Sequence, residues 1–78
     1  MKTMTCRALG GPCDLKHRAD TADAIIKAQD RHLKEAVKFG DATHQESRNA
    51  MKNRWRHPKQ SMDWYRDTQE AFAALPKE

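Results

Sequence analysis

Cys6 and Cys13 are the only thiols in this chain, and four imidazoles accompany them, at His17, His32, His44 and His57. Thiolate and imidazole groups in pairs make the closed tetrahedral donor set that structural zinc prefers. Two thiols alone also allow a disulfide, a redox pair, or two buried residues acting as small hydrophobes. The spacing is not that of a standard finger. Six residues separate the cysteines and eleven separate His32 from His44, whereas fingers use roughly two to four and three to five. A thioredoxin-like role lacks both the C-x-x-C spacing and a βαβ pattern.

Donors so far apart in sequence converge only if the intervening elements bring them together. Met4, Cys6 and Ala8 alternate with Thr3, Thr5 and Arg7; beyond Gly10-Gly11-Pro12, Cys13, Leu15 and His17 alternate with Asp14, Lys16 and Arg18. Period two on both sides of a Gly-Gly-Pro turn predicts a β-hairpin over residues 1–19. A loop with an even number of residues, Gly10–Gly11 or Leu9 to Pro12, pairs Ala8 with Cys13 and Cys6 with Leu15. Both sulfurs then share a face as diagonal neighbours, whereas a three-residue loop sends them to opposite faces. The apolar company of Leu15 favours the even loop.

Helical periodicity begins at Asp20, read as an N-cap, with Asp23 in the first turn. A first helix is predicted over 20–39. Its stripe is Ala22, Ile25, Gln29, His32, Ala36 and Phe39, widened by Ile26, Leu33 and Val37. Asp23–Lys27, Asp30–Lys34 and Arg31–Glu35 are spaced for surface ion pairs. Gly40 is placed to stop this helix and Asp41 to start the next. A second helix over 42–56 carries His44, Met51 and Trp55 on one stripe, and His57-Pro58 breaks it. A third, over 61–75, starts at Ser61 and aligns Trp64, Thr68, Ala71 and Leu75, with Tyr65 and Phe72 widening the row.

The expected fold is therefore α+β and mostly α: a single small domain, 1–78, with an N-terminal β-hairpin packed on three helices. Phe39, Met51, Trp55, Trp64 and Phe72 are the expected helix-packing residues. A reversal at Gly40–Asp41 lays the His32 and His44 stripes against the same side of the hairpin. Cys6, Cys13, His32 and His44 then form the candidate metal site, with zinc as the ion.

Composition is consistent with such a tie. Of 78 residues, 37% are hydrophobic and 33% charged, so the core is thin, and small thin cores gain most from a metal, a disulfide or a partner. An isolated two-stranded hairpin is marginal in water and needs something to hold it on the helices. The start MKTMTCRALGG has no apolar run of signal length, and no stretch can span a membrane. A cytoplasmic location is the default expectation, and thiols stay reduced there.

A net charge of +4 permits an anionic partner. Between Glu46 and Asp63 the chain has no acid. Arg48, Lys52, Arg54, Trp55, Arg56 and Lys59 make this stretch the candidate for an alternative role, a small basic protein that binds nucleic acid. Helical geometry scatters the set: Arg48 and Lys52 fall on one side of the Trp55 stripe, Arg54 on the other, and Arg56 well round the back. Charged stems laid over apolar surface are the plainer reading. No Gly-rich phosphate loop, nucleophile elbow or metalloprotease helix motif is present, and no enzyme activity is expected.

The stretch MKTMTCRALGGPCD, with His32 nineteen residues after Cys13, resembles a bacterial domain-of-unknown-function family of small predicted metal-binding proteins. Its members begin with a similar M-K-x-x-x-C-R/K-x-L-G-x-x-C-D stretch, then an acidic segment opening a helix with a histidine at this distance. Longer members continue like GDATH (40–44), a Met-containing helix and the ending FAALPKE. The resemblance implies Cys6, Cys13 and His32 as ligands and matches His44 to a histidine of the longer members. Short members carry a second histidine five positions after the first, where this chain has Val37. The fourth ligand is thus His44 as first choice, with His17 or Asp41 behind it.

Overall fold

A computed structural model describes all 78 residues. Strands β1 (Lys2–Thr5) and β2 (Lys16–Ala19) pair antiparallel and precede helices α1 (Ala22–Lys38), α2 (Gln45–Arg56) and α3 (Met62–Ala74). This is the hairpin-plus-three-helix, mostly α architecture that the sequence predicts. The ladder matches Lys2 with Ala19, Thr3 with Arg18, Met4 with His17 and Thr5 with Lys16.

The register is that of an even loop, but the strands end sooner than the alternation implies. After Thr5 the chain enters a 3₁₀ turn at Arg7–Leu9, and residues 6–15 form one long connection instead of a tight Gly-Gly turn. The Cys6 N–H donates to the Leu15 carbonyl at 2.8 Å and closes its base. Gly10 ends the 3₁₀ turn with φ +93°, its N–H donating to the Arg7 carbonyl at 3.1 Å. Glycine reaches that left-handed conformation without the β-carbon penalty. Leu15, expected to keep apolar company with the sulfurs, is exposed.

Helix α1 is the spine of the core, because consecutive positions on a helix point about 100° apart. Ile25 packs with Met4, Leu9 and Phe72, with Ala19, Ala22 and Leu75 around them. Ile26 turns the other way and packs with Cys6, Leu33 and Met51, with Cys13, Trp64 and Tyr65 at the margin. Lys2 links β1 to α3, its Nζ donating to the carbonyls of Phe72 (2.9 Å) and Ala73 (3.0 Å). A cation is favourable at that end of a helix, where carbonyls lack partners. The hairpin is therefore held on the helices by Met4, Leu9 and Lys2 as well as by its cysteines.

Helix ends differ from expectation by up to three residues. Thr21, not Asp20, caps α1, its Oγ1 accepting the Ala24 N–H at 3.1 Å. Gly40, at φ +87°, ends it: the Gly40 N–H donates to Val37 (3.0 Å) and the Asp41 N–H to Ala36 (2.9 Å). This pair of bonds is a Schellman stop. Residues Ala42–His44 form a 3₁₀ turn before α2 begins, and Ser61 precedes α3 without a capping bond from its side chain. Of the three ion pairs expected on α1, Asp30–Lys34 forms, at 2.9 Å.

Phe39 does not join the core and is 85% exposed. The reversal carries α2 back along α1 toward Ile26 and Leu33, and nothing lies within 4 Å of a β-carbon built at Gly40. Phe39, just past the end of α1, is left uncovered. Replacing Phe72 with alanine is expected to lower stability by about 3–5 kcal/mol, and replacing Phe39 by less than about 0.5 kcal/mol. Urea unfolding of both variants checks this, and equal losses would contradict the packing described.

Candidate metal centre

Three segments send four donors to the same point. Cys6 opens the long 6–15 connection and Cys13 sits further along it, His32 projects from α1, and His44 closes the 3₁₀ turn before α2. Their ligand atoms all lie within 4.8 Å of one another. The Cys13 sulfur is 3.3 Å from His32 Nε2 and 3.4 Å from His44 Nε2, and the two rings meet edge to face with centroids 4.9 Å apart. A tetrahedral zinc ion bonded at roughly 2.0–2.3 Å holds its donors about 3.3–3.8 Å from each other. A contraction of about one ångström at the widest pair completes that sphere. The donor set fits zinc.

The connection reaches this point by wrapping around Cys6. The Cys6 carbonyl accepts from the Leu9 N–H (3.1 Å) and from the Gly11 N–H (2.8 Å), so the chain curls back over its own cysteine. A β-carbon at position 11 would lie 2.1 Å from the Cys6 sulfur and 2.9 Å from Gln29 Nε2. Only glycine allows the backbone to pass there. Arg7 Nε pairs with Asp14 Oδ1 at 2.8 Å across the connection, and the Ser47 hydroxyl donates to the Gly10 carbonyl at 3.1 Å, tying it to α2.

Each histidine is presented differently. His44 is buried, and its Nδ1–H is shared between Asp41 Oδ2 (2.9 Å) and Thr43 Oγ1 (3.2 Å), which leaves Nε2 free to face the sulfur. A carboxylate behind a ligating imidazole fixes ring orientation and tautomer. The Thr43 hydroxyl and amide bond Asp41 Oδ1. The Thr43 hydroxyl is the main reason that the Asp41 carboxyl is held below the usual carboxylate range, with His44 adding to it. Asp41 therefore orients a donor instead of supplying one. Burial, and then the neighbouring rings of His44 and His17, push the pKa of His32 down, toward the neutral ring that a metal requires. Burial pushes the Cys13 thiol up, so a cation must displace its proton.

His17 lies outside the cluster. The Gln29 side-chain nitrogen is 3.2 Å from the Cys6 sulfur and 3.4 Å from the Cys6 carbonyl, and its oxygen is 2.7 Å from His17 Nε2. A backbone carbonyl can only accept, which places the amide nitrogen toward Cys6. His17 Nε2 must then carry a hydrogen for Gln29 Oε1, and it is not a free donor for a metal. His57 is exposed at the end of α2. Of the residues singled out in the sequence, the structure thus gathers Cys6, Cys13, His32 and His44, and sets His17 and Asp41 behind them. The sequence pattern places Gln29 in the core stripe of α1 and Gly11 in the turn. The signal for Gln29 was its place as an amide within the apolar stripe of α1.

The basic stretch is divided. Arg54 is half-buried, with its guanidinium 4.0 Å over the Trp64 ring, and Trp55 leans on Tyr65 at 5.8 Å while 46% exposed. Trp55 is thus not the buried centre that its stripe suggested. Arg48 is half-buried, and Lys52, Arg56 and Lys59 are exposed.

Residues 1–53, which include all four donors, match the family described as "Protein of unknown function (DUF1059)". No curated protein and no solved structure matches the chain.

Gly11→Ala is expected to abolish metal uptake while leaving helical content in place. Gly40→Ala should cost about 1–2 kcal/mol of stability and leave uptake unchanged, since its φ is strained but its surroundings are open. Metal titration alongside thermal melts separates the two. Undiminished uptake by Gly11→Ala would contradict the crowding at Cys6. Asp41→Ala should weaken metal binding roughly 10–100-fold.

Proposed function

From a chain that belongs to the DUF1059 family, we propose a small, non-enzymatic zinc-binding module in which Cys6, Cys13, His32 and His44 hold one ion structurally. The observation that carries this reading is the meeting of four donors from three chain segments, with ligand atoms within 4.8 Å. Two thiolates with two imidazoles suit zinc, whereas magnesium and calcium take oxygen ligands. Four protein groups fill a tetrahedron and leave no position for water or substrate, which is the mark of a structural site. The tie joins the 6–15 connection to α1 and to the start of α2. Thiols kept free for a metal suit a reducing compartment, with the cytoplasm as the default. No helix is long and apolar enough to cross a membrane.

Nucleic-acid contact is the second reading, supported by the exposure of Lys52, Trp55, Arg56 and Lys59. Arg54, stacked on Trp64, is committed within the protein. This reading predicts affinity that falls steeply with salt. Weak, sequence-indifferent binding is expected, and submicromolar affinity at physiological salt would promote this role over the metal module.

Elemental analysis of protein purified without chelator should find one zinc per chain, lost in Cys6→Ser and in Cys13→Ser. Chelation should raise amide exchange first in residues 6–15 and near His44, while the cluster of Met4, Ile25 and Phe72 stays protected. A metal-free chain with exchange unaffected by chelator would overturn the proposal.

A further inference from the structure

Four side chains of α1 are buried, Ile25, Ile26, Gln29 and Leu33, and Gln29 is the one polar member. Burying an unpaired amide is costly, and an apolar side chain of similar size avoids that cost. Gln29 is fully buried yet has partners at both ends of its amide. Its nitrogen serves the Cys6 sulfur at 3.2 Å and the Cys6 carbonyl at 3.4 Å, and its oxygen receives the His17 Nε2–H at 2.7 Å. His17 is itself buried on β2, opposite Met4 in the ladder. The amide therefore cannot rotate without breaking bonds to two elements.

The two sulfurs differ in what surrounds them. Cys6 has no exposed surface, and its donor comes from the middle of a helix. Cys13 is partly open and lies in the connection itself, and its sulfur has the His32 and His44 rings as side-chain partners. A hydrogen bond to a metal-bound thiolate withdraws electron density from sulfur and steadies its direction, and partners of this kind are worth roughly 10–100-fold in metal affinity.

We propose that Gln29, locked by His17, is a positioning residue that donates a hydrogen bond to the metal-bound sulfur of Cys6, making Cys6 the anchored thiolate and Cys13 the exchangeable one. The proposal rests on the metal reading of the same site. Its consequence is an order of events: attack by an alkylating agent or a competing chelator begins at Cys13, while Cys6 keeps its bond.

Cobalt(II) is the probe, because its sulfur-to-metal charge-transfer band reports the electron density on sulfur and its visible d–d bands report the coordination number. Gln29→Leu should keep the tetrahedral d–d envelope, move the charge-transfer band to longer wavelength, and weaken cobalt binding roughly 10-fold. His17→Leu should shift the band in the same direction by a smaller amount. His17→Gln, which retains an N–H for the Gln29 oxygen, should restore the parent spectrum. In the zinc-loaded parent, iodoacetamide should modify Cys13 well before Cys6, and Gln29→Leu should narrow that gap. A charge-transfer band unmoved in Gln29→Leu, with cobalt still bound, would overturn the relay and leave the metal site standing. A parent protein with no charge-transfer band would overturn the metal reading and the relay together. If Gln29→Leu does not fold, the two His17 variants decide the matter: equal defects in both would contradict the lock.

Discussion

The passage of the Gly11 backbone over the Cys6 sulfur, where a β-carbon would approach to 2.1 Å, is the contact on which the rest of the site depends. It lets the Cys6 carbonyl collect the Leu9 and Gly11 amides, and that curl returns Cys13 to the neighbourhood of Cys6. It also sends Leu9 into the cluster with Met4, Ile25 and Phe72, so one turn serves both the apolar core and the donor set. From there α1 imposes the geometry. Ile25 and Ile26 divide the core into two clusters, and His32 emerges beside the second of them, next to Leu33. The Gly40 stop then folds the chain so that His44 approaches from the opposite side.

Polar groups in a thin core are costly unless they are paired, and here buried His17, Gln29 and His44 have partners that stand behind the metal centre. Asp41 and Thr43 stand behind His44, and His17 and Gln29 behind Cys6. Burial lowers the pKa of His32 and raises that of the Cys13 thiol, so at both of these groups it favours the form without charge. A metal that takes the Cys13 thiolate as ligand releases the thiol proton. The apolar cluster of Met4, Leu9, Ile25 and Phe72 contains none of the four donors.

Much of this was legible in the sequence because periodicity and parity are robust signals. An even loop sets the pairing of Thr5 with Lys16 whatever path the loop takes, and the observed register agrees although the turn is a long 3₁₀-containing connection. The meeting of His32 with His44 followed from two helical stripes and a glycine stop. What was not legible depended on which neighbour covers which turn. Phe39 continues the α1 stripe perfectly well, but α2 reverses too soon to cover it. Leu15 alternates correctly, yet the ladder has ended before it. Trp55 shares a stripe with Met51, but that stripe reaches the edge of the molecule at Tyr65. Gln29 looked like an ordinary stripe position, and only the tertiary structure shows that its amide lies between Cys6 and His17.

The central claim is that two sulfurs and two imidazole nitrogens share one ion. X-ray absorption at the zinc edge, on the zinc-loaded chain, measures this directly. The account predicts a first shell of two sulfur atoms at about 2.3 Å and two nitrogens at about 2.0 Å, with the outer-shell scattering typical of imidazole. A shell of oxygen and nitrogen alone, or one with a single sulfur, would contradict it.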